Sequence, residues 1–167
     1  MSYRIHPANE PIETILDPSR KDGWTAEGDV PVEGVAVCGS IAELLDYAAT
    51  YGMHLEGRVV RVGGSYAGPD HDALAYRVHA ETVEELDLDI EALRELVDLR
   101  HIGAGWTFAE LIAAVRDEDA DALYDIDRRL VWYDEDEETG EETVEITLDA
   151  VMSERAIATL RRLGDEY

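Results

Sequence analysis

Gly34-Val35-Ala36-Val37-Cys38-Gly39-Ser40-Ile41-Ala42-Glu43 is the stretch that decides the fold class of this chain. Four apolar residues between glycines predict a short buried strand, Gly39 a turn, and Ser40 followed by Glu43 a capping box that opens a helix. The helix carries Leu44, Leu45, Ala48 and Ala49 inward and ends near Tyr51-Gly52. A strand running straight into a helix sets the expectation of a mixed α/β protein.

Working outward, Tyr3 to His6 predicts a first strand. Pro7, Pro11, Pro18 and Pro31, with Gly23 and Gly28, mark residues 7–33 as irregular, a loop long enough to cover a site or a partner surface. Trp24 within it reads as a plug on the core. Gly57 to Val62 predicts a strand that Gly63-Gly64-Ser65 and Gly68-Pro69-Asp70 break, and Leu74 to His79 a returning strand of alternating apolar and polar residues.

From Asp87 the pattern turns helical. Ile90, Leu93, Leu96 and Val97 form one stripe, and Thr107-Phe108-Ala109-Glu110 is a second capping box ahead of Leu111, Ile112 and Val115. A third helix is expected over Ala120 to Ile126. Residues 129–133 and 143–148 flank Glu138-Thr139-Gly140-Glu141, a hairpin signal, and Ser153 caps a last helix that Gly164 ends. The expected architecture is therefore α/β (α+β). Residues 1–86 form a small mixed or antiparallel sheet with helices and the Pro-rich loop 7–33, and residues 87–167 form an acidic helix–hairpin–helix part. The sequence leaves open whether the two pack as one body.

Charge narrows the function. The chain has 39 acidic residues against 14 basic ones, a formal charge of −25, and Lys21 is its single lysine. The excess is uneven, with fourteen acids against six bases in residues 1–84 and twenty-five against eight in residues 85–167. Such a surface repels itself in dilute buffer, but near molar salt the Debye length shrinks to about 3 Å. The composition fits a salt-filled cytoplasm, with monovalent cations around the acidic surface. It argues against nucleic acid, whose phosphates are bound by Lys and Arg. Helices followed by a hairpin invite a winged-helix reading of residues 87–167, yet Asp134 to Glu138 would place acids where a DNA-binding wing needs bases. The Arg128-Arg129 and Arg161-Arg162 pairs sit among acids and read as surface ion pairs.

Cys38 alone rules out an internal disulfide, and as a small residue at a strand end it reads as core. The N-terminus lacks the apolar centre of a signal peptide, and no apolar run approaches the ~18 residues of a membrane span, so a soluble, cytoplasmic protein is expected. Asp117, Asp119 and Asp121 start a calcium-loop pattern that fails at Ala122 and Arg128. Asp70-His71-Asp72 reads as a solvated turn, and no metal site is expected.

The order of a short strand with Arg4 and His6, an irregular stretch, the strand–helix unit through Ser40 and a hairpin of alternating strands resembles the core of ADP-ribosyltransferase-like domains over roughly residues 3–90. The resemblance implies NAD as cofactor, Arg4 or His6 holding it, and Ser40 supporting the nicotinamide side. It asks for a glutamate on the late strand. The strand expected at Leu74 to His79 has none, and Glu81, Glu84 and Glu85 follow it.

Two expectations stand. The first is a non-catalytic interaction or structural protein of a halophilic archaeon or its virus, cytoplasmic or in the virion, without cofactor and with a protein partner or self-association. The second is an NAD-dependent ADP-ribosyltransferase-like enzyme using Arg4, Ser40 and one of Glu81, Glu84 or Glu85.

Overall fold

In the computed structural model the chain forms β1 (Ser2–His6), β2 (Val35–Val37), α1 (Ile41–Tyr51), β3 (Arg58–Pro69) and β4 (Tyr76–Glu85). These are followed by α2 (Ile90–Leu99), α3 (Phe108–Arg116), α4 (Ala120–Ile126), β5 (Val131–Glu135), β6 (Glu142–Ile146) and α5 (Glu154–Glu166). The structure describes residues 1–19, 33–53, 55–70, 74–100, 104–135 and 139–166. His71, Asp72 and residues 20–32 of the expected Pro-rich loop, Trp24 among them, lie outside these residues. Two units divide the chain, Met1–Ile90 and Glu91–Tyr167. The fold class is the expected one, an antiparallel sheet with helices and a helical C-terminal part holding a hairpin.

In the first unit the strand order is β1-β3-β4-β2, every neighbour antiparallel. β3 does not break at its glycines but runs through them, with register irregularities at Gly63/Gly64 and Tyr66/Gly68. The cause is close approach. A Cβ at Gly64 would sit 2.0 Å from the carbonyl oxygen of His79, so only glycine lets β4 come this near while β3 bends. A strand of 12 residues can then pair with β1 at one end and with β4 along most of its length.

β4 is likewise longer than its apolar alternation suggests, and continues through Glu81 to Glu85. Its second half is exposed and therefore carries charge, while pairing with Val60 to Gly63 supplies the backbone bonds that keep it extended. Val35, Val37, Val60, Val62 and Val78 pack with Ile15 in one buried cluster. Ile15 belongs to a 3-10 turn, Ile12–Leu16, within the segment expected to be irregular. Two groups fasten that segment to the sheet. His6 donates from Nε2 toward the carbonyls of Glu10 (3.1 Å) and Pro11 (3.2 Å), and the Arg58 guanidinium donates to those of Ala8 (2.9 Å) and Glu10 (3.0 Å).

The second unit follows the expected order of three helices, a hairpin and a fourth helix. Leu93, Leu96, Phe108, Leu111, Leu123, Leu130 and Leu160 are all fully buried in it, each contributing about 1.5–3 kcal/mol. Thr107 and Glu110 form the reciprocal capping box at the start of α3. Gly164 does not end α5, which continues to Glu166. Its missing side chain is used in packing instead, since a Cβ there would lie 3.2 Å from Cβ of Arg116 on α3.

Candidate functional site

The residues singled out in the sequence are placed as follows. Arg4 is half-buried on β1, opposite Val60, which in turn is opposite Glu85. Arg4, Val60 and Glu85 thus form one row across three strands, with the backbones of Arg4 and Glu85 about 10 Å apart. Glu85 accepts from the Arg58 guanidinium at 2.9 Å, and Glu84 is ion-paired with Arg61. Glu81 is exposed, the extra residue where Gly63 and Gly64 pair with Thr82 and Ala80. All three glutamates therefore lie on the late strand rather than after it. The strand end was misplaced because Glu81-Thr82-Val83-Glu84-Glu85 has the composition of a solvated loop.

Ser40 is the N-cap of α1, its hydroxyl accepting from the backbone N–H of Glu43 at 3.1 Å, while Glu43 accepts from the N–H of Gly39 at 2.8 Å. His6 is wholly buried and committed to its two carbonyls. Arg4 lines a cavity of about 140 Å³ together with Tyr3, Ile5, Cys38, Leu44 and Tyr47. Among the described residues, neither Ser40 nor the three glutamates line it.

Cys38, one of the residues lining that cavity, has 3% of its surface exposed. Burial, and to a smaller extent the negative charges of Glu43 and Asp70, push its thiol up to about 12. A thiol held that high stays protonated at neutral pH and is a packing group, not a nucleophile. Deeper in the unit, Arg77 is 1% exposed and donates to Asp70 at 3.0 Å, a buried ion pair that the sequence did not announce because its partners look like an ordinary turn and strand.

The second unit presents a different surface. Trp132 on β5 is 63% exposed, far beyond what a core aromatic shows. Tyr124 on α4 and Val144 on β6 are also exposed, and the Tyr124 and Tyr133 rings meet edge to face at 5.4 Å. Tyr133 donates to Asp121 at 3.2 Å. Its phenol is held above the ordinary value by partial desolvation and by that carboxylate. Trp106, by contrast, is half-buried, packed against Phe108 and beneath the guanidinium of Arg100.

Beside the hairpin lies an open groove of about 650 Å³, whose lining includes Val144, Ile146, Leu148 and Ile157. Glu118, Glu145, Asp149 and Glu154 line it as well. Asp117 and Asp119 are structural. The first pairs with Arg116 and the second caps α4 through the N–H of Ala122 at 3.0 Å. No group of three or more His, Cys, Asp or Glu arranged to hold a metal is found among the described residues. None of the described helices is long and apolar enough to cross a membrane. Comparison of the chain with family models, with characterised proteins and with solved structures gives no match in any of the three.

Proposed function

We propose that the protein is a non-catalytic interaction module of a halophilic archaeon or its virus, working in concentrated salt in the cytoplasm or virion and contacting a protein partner through the hairpin of its second unit. The exposure of Trp132 carries this reading. A tryptophan left mostly in water on a small strand pair contributes little to its own fold, and exposed aromatic anchors of this kind are what bind protein surfaces. The acidic surroundings favour a protein over a nucleic acid. The candidate catalytic groups of the first unit support the reading in their own way, since Ser40, His6, Glu84 and Glu85 each take part in a contact that holds the fold.

The test is a photoreactive amino acid placed at position 132 and, as a control, at Tyr51, which is also exposed but lies in the first unit. In native cells the probe at 132 is expected to give one discrete protein adduct and the probe at 51 none. Equal labelling from both positions would remove the support.

One observation favours the enzyme as a second reading. β4 carries Glu81, Glu84 and Glu85, so the ADP-ribosyltransferase-like order now has glutamates on its late strand. Consumption of labelled NAD in molar KCl that disappears in Arg4→Ala and in one of the three Glu→Gln variants would promote that reading over the first.

A further inference from the structure

The hairpin has a second open feature besides Trp132, the outer edge of β6. In an antiparallel pair, hydrogen-bonded and non-hydrogen-bonded residue pairs alternate. The N–H of Thr147 donates to the carbonyl of Leu130 at 2.8 Å, just beyond the pair Val131–Ile146. The alternation therefore makes Trp132–Glu145 and Asp134–Thr143 the hydrogen-bonded pairs. Val144 and Ile146 turn their N–H and C=O groups away from β5. Among the described residues no other strand pairs with β6, because its sheet has two strands only.

The residues that carry these outward groups, Val144 and Ile146, also line the 650 Å³ groove, together with Leu148 and Ile157. An unprotected strand edge beside an apolar trough is the geometry that accepts an added strand. Backbone hydrogen bonds supply the affinity, and alternate side chains enter the trough. The charge of the lining selects the occupant. Glu118, Glu145, Asp149 and Glu154 face a single base, Arg161. A second copy of this chain would bring the same acids against them, whereas a strand that alternates apolar residues with arginine or lysine would seat its apolar set against Val144 and Ile146 and turn its bases to the opposite face, where Glu145 lies.

We infer that β6 is a docking edge for an extended basic segment of a partner protein, joined to the sheet by strand addition at Val144 and Ile146. This rests on the interaction reading above and names the chemistry of the partner.

The test uses the full chain in about 0.3 M KCl, low enough that charge still discriminates between ligands, and three acetylated peptides: alternating valine and arginine, the same with glutamate for arginine, and the arginine peptide in scrambled order. Amide hydrogen exchange at Val144 and Ile146 is the readout. The alternating arginine peptide is expected to slow both amides at least tenfold, and the other two to leave them unchanged. Val144→Pro removes an outward N–H while leaving the β5 ladder intact, as proline does on edge strands. With no amide left at 144, the readout is Ile146, where protection is expected to be abolished with no change in the thermal midpoint.

Protection by the glutamate peptide, protection that survives Val144→Pro, no protection by any peptide, or protection that grows with protein concentration alone would each overturn the inference. Trp132 pairs with Glu145 in the neighbouring row and lies on the other face of the hairpin from Val144. Trp132→Ser is therefore expected to leave peptide protection intact, so loss of the adduct at position 132 and loss of protection at β6 report separately on the two proposals.

Discussion

The backbones of Tyr3 and Cys38 hold each other through two hydrogen bonds of 2.8 Å each, an isolated bridge that joins β1 to the residue directly after β2. Since β1 and β2 are the two ends of the strand order, the bridge turns the four-stranded sheet back on itself and protects both edges where they meet. It also buries the one cysteine of the chain.

That burial has a chemical consequence. With its thiol pushed up to about 12, folded Cys38 carries a thiolate fraction on the order of 10⁻⁴ at pH 8, whereas an unfolded cysteine titrates near 8.5. Alkylation by iodoacetamide at pH 8 is expected to be at least 10³-fold slower in the native protein than in urea, an order-of-magnitude figure from that fraction. The same shift fixes the sign of a pH dependence. The folded state holds the proton more tightly, so the contribution of this thiol to stability is fully present below about pH 8 and is lost progressively as pH rises toward 12, measurable as a falling urea midpoint.

The pair Arg77–Asp70 makes a second prediction. Removing one member leaves the other as a buried charge, so Asp70→Ala is expected to cost about 3–5 kcal/mol in chemical denaturation. Replacing both with leucine is expected to recover most of that loss, because the desolvation of both ions is removed together.

Helix starts were legible in the sequence because their signals are local. Ser40 with Glu43, Thr107 with Glu110, and Ser153 all cap the helices they were expected to cap. Strand extents were not, because they depend on what lies across the sheet. Gly63-Gly64 reads as a break and is a point of close approach, and Glu81 to Glu85 reads as a loop and is a strand held by its neighbour. Of the candidate site, Ser40 illustrates the difficulty most clearly. A serine at a strand–helix turn has one sequence signature whether it caps the helix or meets a ligand. The outward backbone of β6 leaves no mark in side-chain pattern at all.

Glu118 stands between α3 and α4 with φ of 52°, left-handed backbone that costs a non-glycine residue about 1–2 kcal/mol. Glycine there would relieve that strain and lose about 0.5–1 kcal/mol to the greater freedom of the unfolded chain. Glu118→Gly is therefore expected to raise stability by about 0.5–1 kcal/mol in urea titration. It also removes one acid from the groove and should weaken binding of the alternating arginine peptide.

A charge of −25 predicts that the protein is stabilised by salt. At 0.1 M the Debye length of about 10 Å leaves the acids repelling across the surface, and at molar concentration the term is largely screened. The thermal midpoint is expected to climb steadily from 0.1 to 3 M KCl. A flat or falling midpoint would remove the case for a high-salt setting.

The most direct test of the interaction reading is the mass of the species in which the chain resides at high salt. Tagged protein drawn from its native cells in 3 M KCl and passed through light scattering is expected to run as one discrete complex heavier than the 18.6 kDa of the chain. Trp132→Ser is expected to return it to that mass with its thermal midpoint unchanged. A wild-type chain found only at 18.6 kDa, or a complex indifferent to Trp132→Ser, would contradict the account.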